Sequence, residues 1–319
     1  MNHPSIKQLQ DWESFKEQKG PGLTTDLMES MMDSMGIHPT VLGINHIRSF
    51  FKSRKPFSHK GHFGHALLIA GNTGKMGAAL LAAKSCLRSG TGLLTVAVPE
   101  GADPVFHVAL PEAMIVHRDA DHLLQGNYSA IGIGPGLGTS ASVQSITELV
   151  LKQAKAPVVI DADALNILAE HINWLDALPS QPSQTILTPH PKEFDRLFGI
   201  SSNDPERWQK AIIASKQYHV VIILKGHFTL IVSEGKIWIN HNGNAGLAKG
   251  GSGDTLTGII TAFLSQGYTA ENAALLGVYL HGLAADITLA ENQSAESLLA
   301  SDLTENLGRA FKQIDPSLM

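Results

Sequence analysis

The chain has 319 residues and a mass of 34.1 kDa. Residues AVILMFWYC make up 43%, enough for a sizeable core and too many for a disordered chain. The 24 Lys+Arg against 29 Asp+Glu leave a net charge of −5, which argues against a nucleic-acid binder working through a broad basic face.

The single cysteine, Cys86, excludes an internal disulfide framework and fits a reducing compartment. The polar N-terminus lacks the apolar segment of a signal peptide, so a cytoplasmic location with no membrane partner is expected. Residues 1–50 are rich in Met, Gln, Glu and Ser. Leu27, Met28, Met31, Met32 and Met35 fall at helical spacing, so this stretch reads as a helical appendage to a main domain over 51–319. Lys52 to Lys60 reads as a solvated linker.

From His65 the pattern becomes strand, glycine turn, helix, and it repeats. Apolar runs at His65–Ala70, Leu93–Val98, Ser129–Ile133, Val158–Ile160, Thr185–Leu187 and Val220–Leu224 predict buried strands. Helices are expected at Ala78–Arg88, Thr139–Lys152, Gly253–Leu264, Glu271–Ala290 and Leu298–Phe311. Phe228–Val232 and Lys236–Ile239 flank Ser-Glu-Gly and read as a hairpin. The apolar stretch from Asn272 to Ala290 contains His281 and Asp286, and reads as a buried helix rather than a membrane span. The alternation implies a three-layer α/β fold, with a central, mostly parallel sheet and helices on both faces. Polar and glycine-rich segments follow the strand ends, where open α/β sheets bind ligands.

The strongest motif is NAGLAKGGSGDTLTG, from Asn244 to Gly258. Gly250, Gly251 and Gly253 precede a helix at once. A glycine loop opening a helix is an anion site, because unpaired N–H groups and the helix dipole both favour phosphate. Asp254 lies in the first turn. A plain helix cap there would compete with phosphate for the same N–H groups. Beside phosphate, the carboxylate suits a base taking a proton from an attacking hydroxyl. No Gly-Lys-Ser/Thr follows the glycines, so this is not a P-loop, and Gly132–Gly138 lacks the spacing of a dinucleotide fingerprint.

The GGSGD segment resembles the signature of ribokinase-like small-molecule kinases. The stretch from His59 to Phe311 resembles the ADP/ATP-dependent NAD(P)H-hydrate dehydratase family. The resemblance rests on SHKGHFGHALLIAG, GKMGAALLAAKSCLRSGTGLLTV, GIGPGLG, VVIDADALN, LTPHPKEF, ILKG and NAGLAKGGSGDTLTG, in that order. Lys192 stands where Gly is common in that family, and Ser252 where Thr is common. The resemblance implies a ribokinase-like fold and a repair reaction. In it (S)-NADHX or (S)-NADPHX is phosphorylated on its 6-hydroxyl by ADP, with ATP possible and Mg²⁺ as cofactor, and phosphate then leaves. It implies Asp254 as base and substrate contact, Gly253 in the anion hole, and Ala78, Gly136 and His190 along the hydrated nicotinamide. Lys225, Gly226, His227, Phe228 and Thr229 are implied to lie along the nucleotide, and a homotetramer is common among relatives. The first 33 residues resemble the opening of an epimerase domain often fused upstream. The rest of that domain is absent, so no epimerase activity is expected.

Other readings stand beside these. By position alone Lys225 would be a surface lysine at a strand end. Glu193 reads as a cap for the helix after His190. Asp161, Asp163 and Asn166 either cap the helix at Ala164–Ala169 or position Mg²⁺ or water. His59, His62 and His65 show no metal-ligand pattern. The alternative enzyme is a kinase of a small alcohol, such as a hydroxymethylpyrimidine or thiazole vitamin precursor. It would share Asp254 and the anion hole but not the TPHPKE and SHKG segments. A nucleotide sensor on the same fold would need no base.

Overall fold

The computed structural model describes residues 32–33, 36–178, 184–291, 293–315 and 317. The helical reading of Leu27, Met28, Met31 and Met35, and the epimerase-like opening up to residue 31, lie outside them.

Among the described residues ten strands form one sheet: β1 (Thr40–Val41), β2 (His65–Ile69), β3 (Leu93–Val98), β4 (Met114–His117), β5 (Ala130–Ile133), β6 (Val158–Ile160), β7 (Thr185–Leu187), β8 (Val221–Leu224), β9 (Thr229–Ser233) and β10 (Lys236–Asn240). Their order is β1-β10-β9-β8-β7-β6-β5-β2-β3-β4. Neighbours are parallel except β8 with β9 and β9 with β10. Glu234 and Gly235 both take positive φ, at 47° and 82°. That two-residue turn matches the twist of the expected hairpin.

The helices are α1 (Ile44–Phe50), α2 (Met76–Arg88), α3 (Asp103–Ala109), α4 (Ala141–Gln153), α5 (Ala162–Glu170), α6 (Pro191–Phe198), α7 (Asp204–Tyr218), α8 (Ser252–Ser265), α9 (Ala270–Ala290) and α10 (Ala300–Ile314). Strand residues alternate between the two faces. Leu67, Ile69, Ile131, Ile133 and Ile160 pack with α4, α5, α6 and α7. Ala66 and Leu68 pack with α2, while Ala130, Val159, Ile186 and Val221 pack with α8, α9 and α10. This is the expected three-layer arrangement. By length and composition α9 resembles a membrane span, but 72% of its most apolar window is buried in the protein.

Several elements are absent from the pattern reading. Edge strand β4 has no fully buried residue, and α3 buries only Phe106. Helix α7 did carry a signal: Asn203 accepts from Glu206 N at 2.9 Å, and a proline lies in the first turn. Within the N-terminal segment, Thr40 and Val41 pair with β10, and Ile47 is fully buried. Lys52–Lys60 is largely exposed, though Arg54 stacks on the Phe63 ring at 3.8 Å.

Candidate active site

Helix α8 packs against β2, β5 and β6, and its first turn meets the loops after β6 and β8. Its approach to α2 depends on Gly258, where a Cβ would meet the Ala82 carbonyl at 2.0 Å. Gly251 caps α8 with φ +94°, where a Cβ would lie 2.5 Å from Leu81 Cδ1. No side chain caps this helix. The N–H groups of Gly253 and Asp254 have no acceptor among the described residues, so they open onto the crevice as free donors.

Asp254 is not a cap. It makes no hydrogen bond among the described residues, and its carboxyl is pushed up to about 6. Burial is the main cause, the charges of Asp161 and Asp163 add to it, and Lys225 opposes it. A carboxylate poised near neutrality suits a general base.

The loops after neighbouring strands bond to one another. Gly71 N donates to Pro135 O at 2.7 Å, and Lys225 N donates to Pro189 O at 2.9 Å. A Cβ on Gly136 would lie 2.9 Å from Ala78 Cβ, so these two expected substrate contacts adjoin. Lys225 is not a surface lysine. Its Nζ donates to Asp161 Oδ1 at 2.8 Å, lies 3.9 Å from Glu193 Oε2, and is 3.4 Å from where a Gly253 Cβ would be. Burial works against this charge, but Asp161 and Glu193 outweigh it and raise the lysine pKa. The expected nucleotide segment therefore starts at the mouth of α8 and then moves outward. Gly226 and His227 are exposed, Phe228 packs against the core, and Thr229 begins β9.

The Asp161 cluster separates into different tasks. Asp161 precedes α5 but makes no capping bond. Its carboxylate holds Lys225 and accepts from Thr257 Oγ1 at 2.7 Å. Burial would raise its pKa, yet the Lys225 charge and these hydrogen bonds hold it below the usual value. Ala162, next in the chain, has φ +48°, a conformation that costs a non-glycine residue about 1–3 kcal/mol. Asp163 Oδ2 accepts from Gly138 N at 2.7 Å and Lys75 Nζ at 3.4 Å, while Asn166 Oδ1 accepts from Arg196 at 2.6 Å.

His190 is the N-cap of α6. Its Nδ1 accepts from Lys192 N at 3.1 Å and Glu193 N at 3.3 Å, and Glu193 Oε2 accepts from His190 N at 2.9 Å. This reciprocal box is the cap expected of Glu193. Two donors on Nδ1 require the ring proton on Nε2. Burial lowers the imidazole pKa, outweighing the nearby Glu193 charge, so the ring is a neutral donor at physiological pH.

His59, His62 and His65 are spent on structure. Gly61 N donates to His59 Nδ1 at 3.2 Å, His59 N donates to His62 Nδ1 at 3.3 Å, and His65 Nε2 bonds Thr95 Oγ1 at 2.8 Å. Two site groups escaped the sequence reading because both lie on α9. His281 Nε2 lies 3.0 Å from Ser252 O. Asp286 accepts from Gly243 N at 2.9 Å and Asn244 Nδ2 at 3.1 Å. A histidine and an aspartate within a long, largely buried helix were the available signal.

The sheet order and the open mouth of α8 beside a carboxylate and a lysine define a protein of the ribokinase-like class. The sequence profile described as NAD(P)H-hydrate dehydratase matches residues 66–309. The chain belongs to the NAD(P)H-hydrate dehydratase family. It is 40% identical over 277 residues to the ADP-dependent (S)-NAD(P)H-hydrate dehydratase of Bacillus subtilis, spanning 85% of this chain and 97% of that one. The crystal structure of the Bacillus subtilis ADP/ATP-dependent NAD(P)H-hydrate dehydratase co-crystallized with ATP/Mg²⁺ superposes with a TM-score of 0.77 at 39% identity, covering 87% of this chain and 99% of that one. A hydroxyethylthiazole kinase from Pyrococcus horikoshii superposes at 0.57 with 16% identity, covering 83% of this chain and 91% of that one, and shares the fold alone.

Proposed function

We propose that the chain dehydrates (S)-NADHX and (S)-NADPHX to NADH and NADPH at the expense of ADP, giving AMP and phosphate. The observation that carries this reading is Asp254, without a hydrogen bond among the described residues, beside the open N–H groups of α8. The substrate 6-hydroxyl loses its proton to Asp254 and attacks the terminal phosphorus of ADP, and the bond to AMP breaks. Phosphate then leaves the ring carbon, driven by the ring-nitrogen lone pair. Loss of the neighbouring C5 proton restores the double bond. Hydroxide is a poor leaving group and phosphate a good one, which is why the nucleotide is consumed.

Gly253 supplies the anion hole and Lys225 a positive charge for the phosphates. Gly226, His227, Phe228 and Thr229 run along the nucleotide, with ATP as an alternative donor. Ala78, Gly136 and the Nε2–H of His190 hold the hydrated nicotinamide. The described residues contain no cluster of three His, Cys, Asp or Glu that could hold a metal ion. That suits Mg²⁺ carried in with the nucleotide, bound chiefly by phosphate oxygens and water, where it neutralises phosphate charge. The enzyme works in the cytoplasm as a homotetramer.

The test is incubation with NADHX or NADPHX plus ADP or ATP. Recovery of reduced-nicotinamide absorbance with release of phosphate is expected. A stable phosphorylated alcohol as product would instead identify a kinase.

A further inference from the structure

Helix α9 fastens both ends of the glycine loop. Asp286 accepts from Gly243 N and Asn244 Nδ2, and His281 Nε2 lies 3.0 Å from Ser252 O. Between these ties run residues 245–251, with Gly250 and Gly251 side by side and Gly251 at φ +94°. Adjacent glycines leave the backbone more freedom to lose than any other pair. Donors held ready for a phosphate therefore need a restraint inside this stretch.

Lys249 supplies it. Its Nζ donates to Leu298 O at 2.9 Å and to Glu296 O, which lie 49 and 47 positions further along the chain. Neither carbonyl has another donor among the described residues. The ammonium is thus spent on backbone oxygens rather than on a carboxylate. The two segments also pack. A Cβ on Gly246 would lie 3.0 Å from Leu298 Cδ1, and one on Gly251 would lie 3.1 Å from Ala300 Cβ. Leu298 is 1% exposed and clusters with Ala285, Leu303 and Leu247, so the segment before α10 is itself anchored.

We propose that Lys249 is a positioning residue whose ammonium clamps the glycine loop to the segment before α10, as a bound monovalent cation would, and so fixes the donors at the mouth of α8. This rests on the dehydratase reading for the role of those donors. An ammonium is a compact point charge with three donors, and backbone carbonyls also take the place of water around free monovalent cations. Lys249 is exposed, so truncating it leaves the core alone and opens a position beside two unpartnered carbonyl oxygens. A free cation of similar size should fill that position and restore the clamp.

The experiment compares the wild type with Lys249→Ala in choline, sodium, potassium and ammonium chloride at equal ionic strength and fixed Mg²⁺. Calorimetric titration gives the affinity for ADP, and steady-state kinetics gives KM for ADP and NADHX in turn. In choline, Lys249→Ala is expected to lose roughly 10- to 100-fold in ADP affinity and in kcat/KM for ADP. Its KM for NADHX should stay within about twofold, and its thermal melt should remain a single cooperative transition. Potassium or ammonium should recover about fivefold or more, saturably, while the wild type changes by less than about twofold. Lys249→Arg should keep part of the function without added cation, because the charge remains. Unchanged ADP affinity in Lys249→Ala, an equal rise in KM for NADHX, or a loss that neither cation repairs would each overturn the assignment. Equal repair by choline would overturn it too, since that marks ionic strength alone. A wild type that binds ADP but dehydrates no hydrate would overturn the dehydratase reading, and the calorimetric rescue would still decide the clamp.

Discussion

Lys225 Nζ lies 2.8 Å from Asp161 Oδ1, and this ion pair sits against the backbone of Gly253 at the mouth of α8. The pair ties the loop after β8 to the loop after β6. It also brings a second negative charge near Asp254, and that charge helps raise the Asp254 pKa to about 6. Asp254 must be ionised to accept a proton, so activity should fall as pH drops below about 6. Replacing Asp161 by Asn removes a charge that disfavours the ionised base. The acid limb of the kcat/KM profile should therefore move to lower pH, while the melting temperature falls because Lys225 loses its partner. Asp254→Asn should cost roughly 10²–10⁴-fold in kcat with both substrates still bound. Turnover within a few-fold of wild type would remove Asp254 from the chemistry, and an unmoved limb in Asp161→Asn would remove the electrostatic link.

Gly253 needs no left-handed backbone. A Cβ there would meet Lys225 Nζ at 3.4 Å and Asp161 Oδ2 at 3.7 Å, both ordinary contacts. Gly253→Val should therefore fold. Its branched methyls enter the space in front of the open N–H groups, so nucleotide affinity should fall much more than stability. Isothermal titration with ADP beside a thermal melt decides the matter, and unchanged affinity would move the anion hole elsewhere.

His190 caps α6, and its Nε2 lies 3.5 Å from Glu193 Oε1. His190→Ala would also lose the cap, worth about 1 kcal/mol, so His190→Asn is the cleaner change because asparagine is a good cap. It should raise KM for NADHX and leave KM for ADP nearly unchanged. Lys225→Ala should do the reverse, since a charge-assisted contact to phosphate is worth roughly 1.5–3 kcal/mol. Steady-state kinetics with each substrate varied in turn gives the answer. A swapped pattern would reverse the two assignments.

His281 is buried in α9 and its pKa is lowered to about 4, chiefly by burial. The neutral ring donates from Nε2 to Ser252 O at 3.0 Å and so fixes the start of α8. The unfolded chain takes up this proton near pH 6.5, the folded chain only near 4. The unfolded state thus binds more protons in between, and stability is lost as pH falls through that window, by roughly 3 kcal/mol at its lower end. His281→Gln should flatten that part of the stability-against-pH curve in urea titrations. An unaltered slope would mean that other groups account for the acid sensitivity.

The sequence by itself determined the layers of the fold and the opening of α8. Short β-branched apolar runs bounded by turn residues, such as VVI at Val158–Ile160 and VIIL at Val221–Leu224, point to strands buried on both faces, and both are. Glycines before an apolar helical period mark a helix mouth wherever they occur, because the cause lies in neighbouring residues. Elements without an apolar period, such as β4 and α3, were invisible for the same reason. The partners of charged groups were decided only by the tertiary structure. Lys225 read as a surface lysine by position, and Asp161 read equally well as a cap. Their pairing spans 64 positions in the chain, and the Thr257 bond to Asp161 spans 96. Periodicity and capping are local, whereas the charge that tunes Asp254 comes from residues that only the meeting of the loops after β6 and β8 at the mouth of α8 brings together.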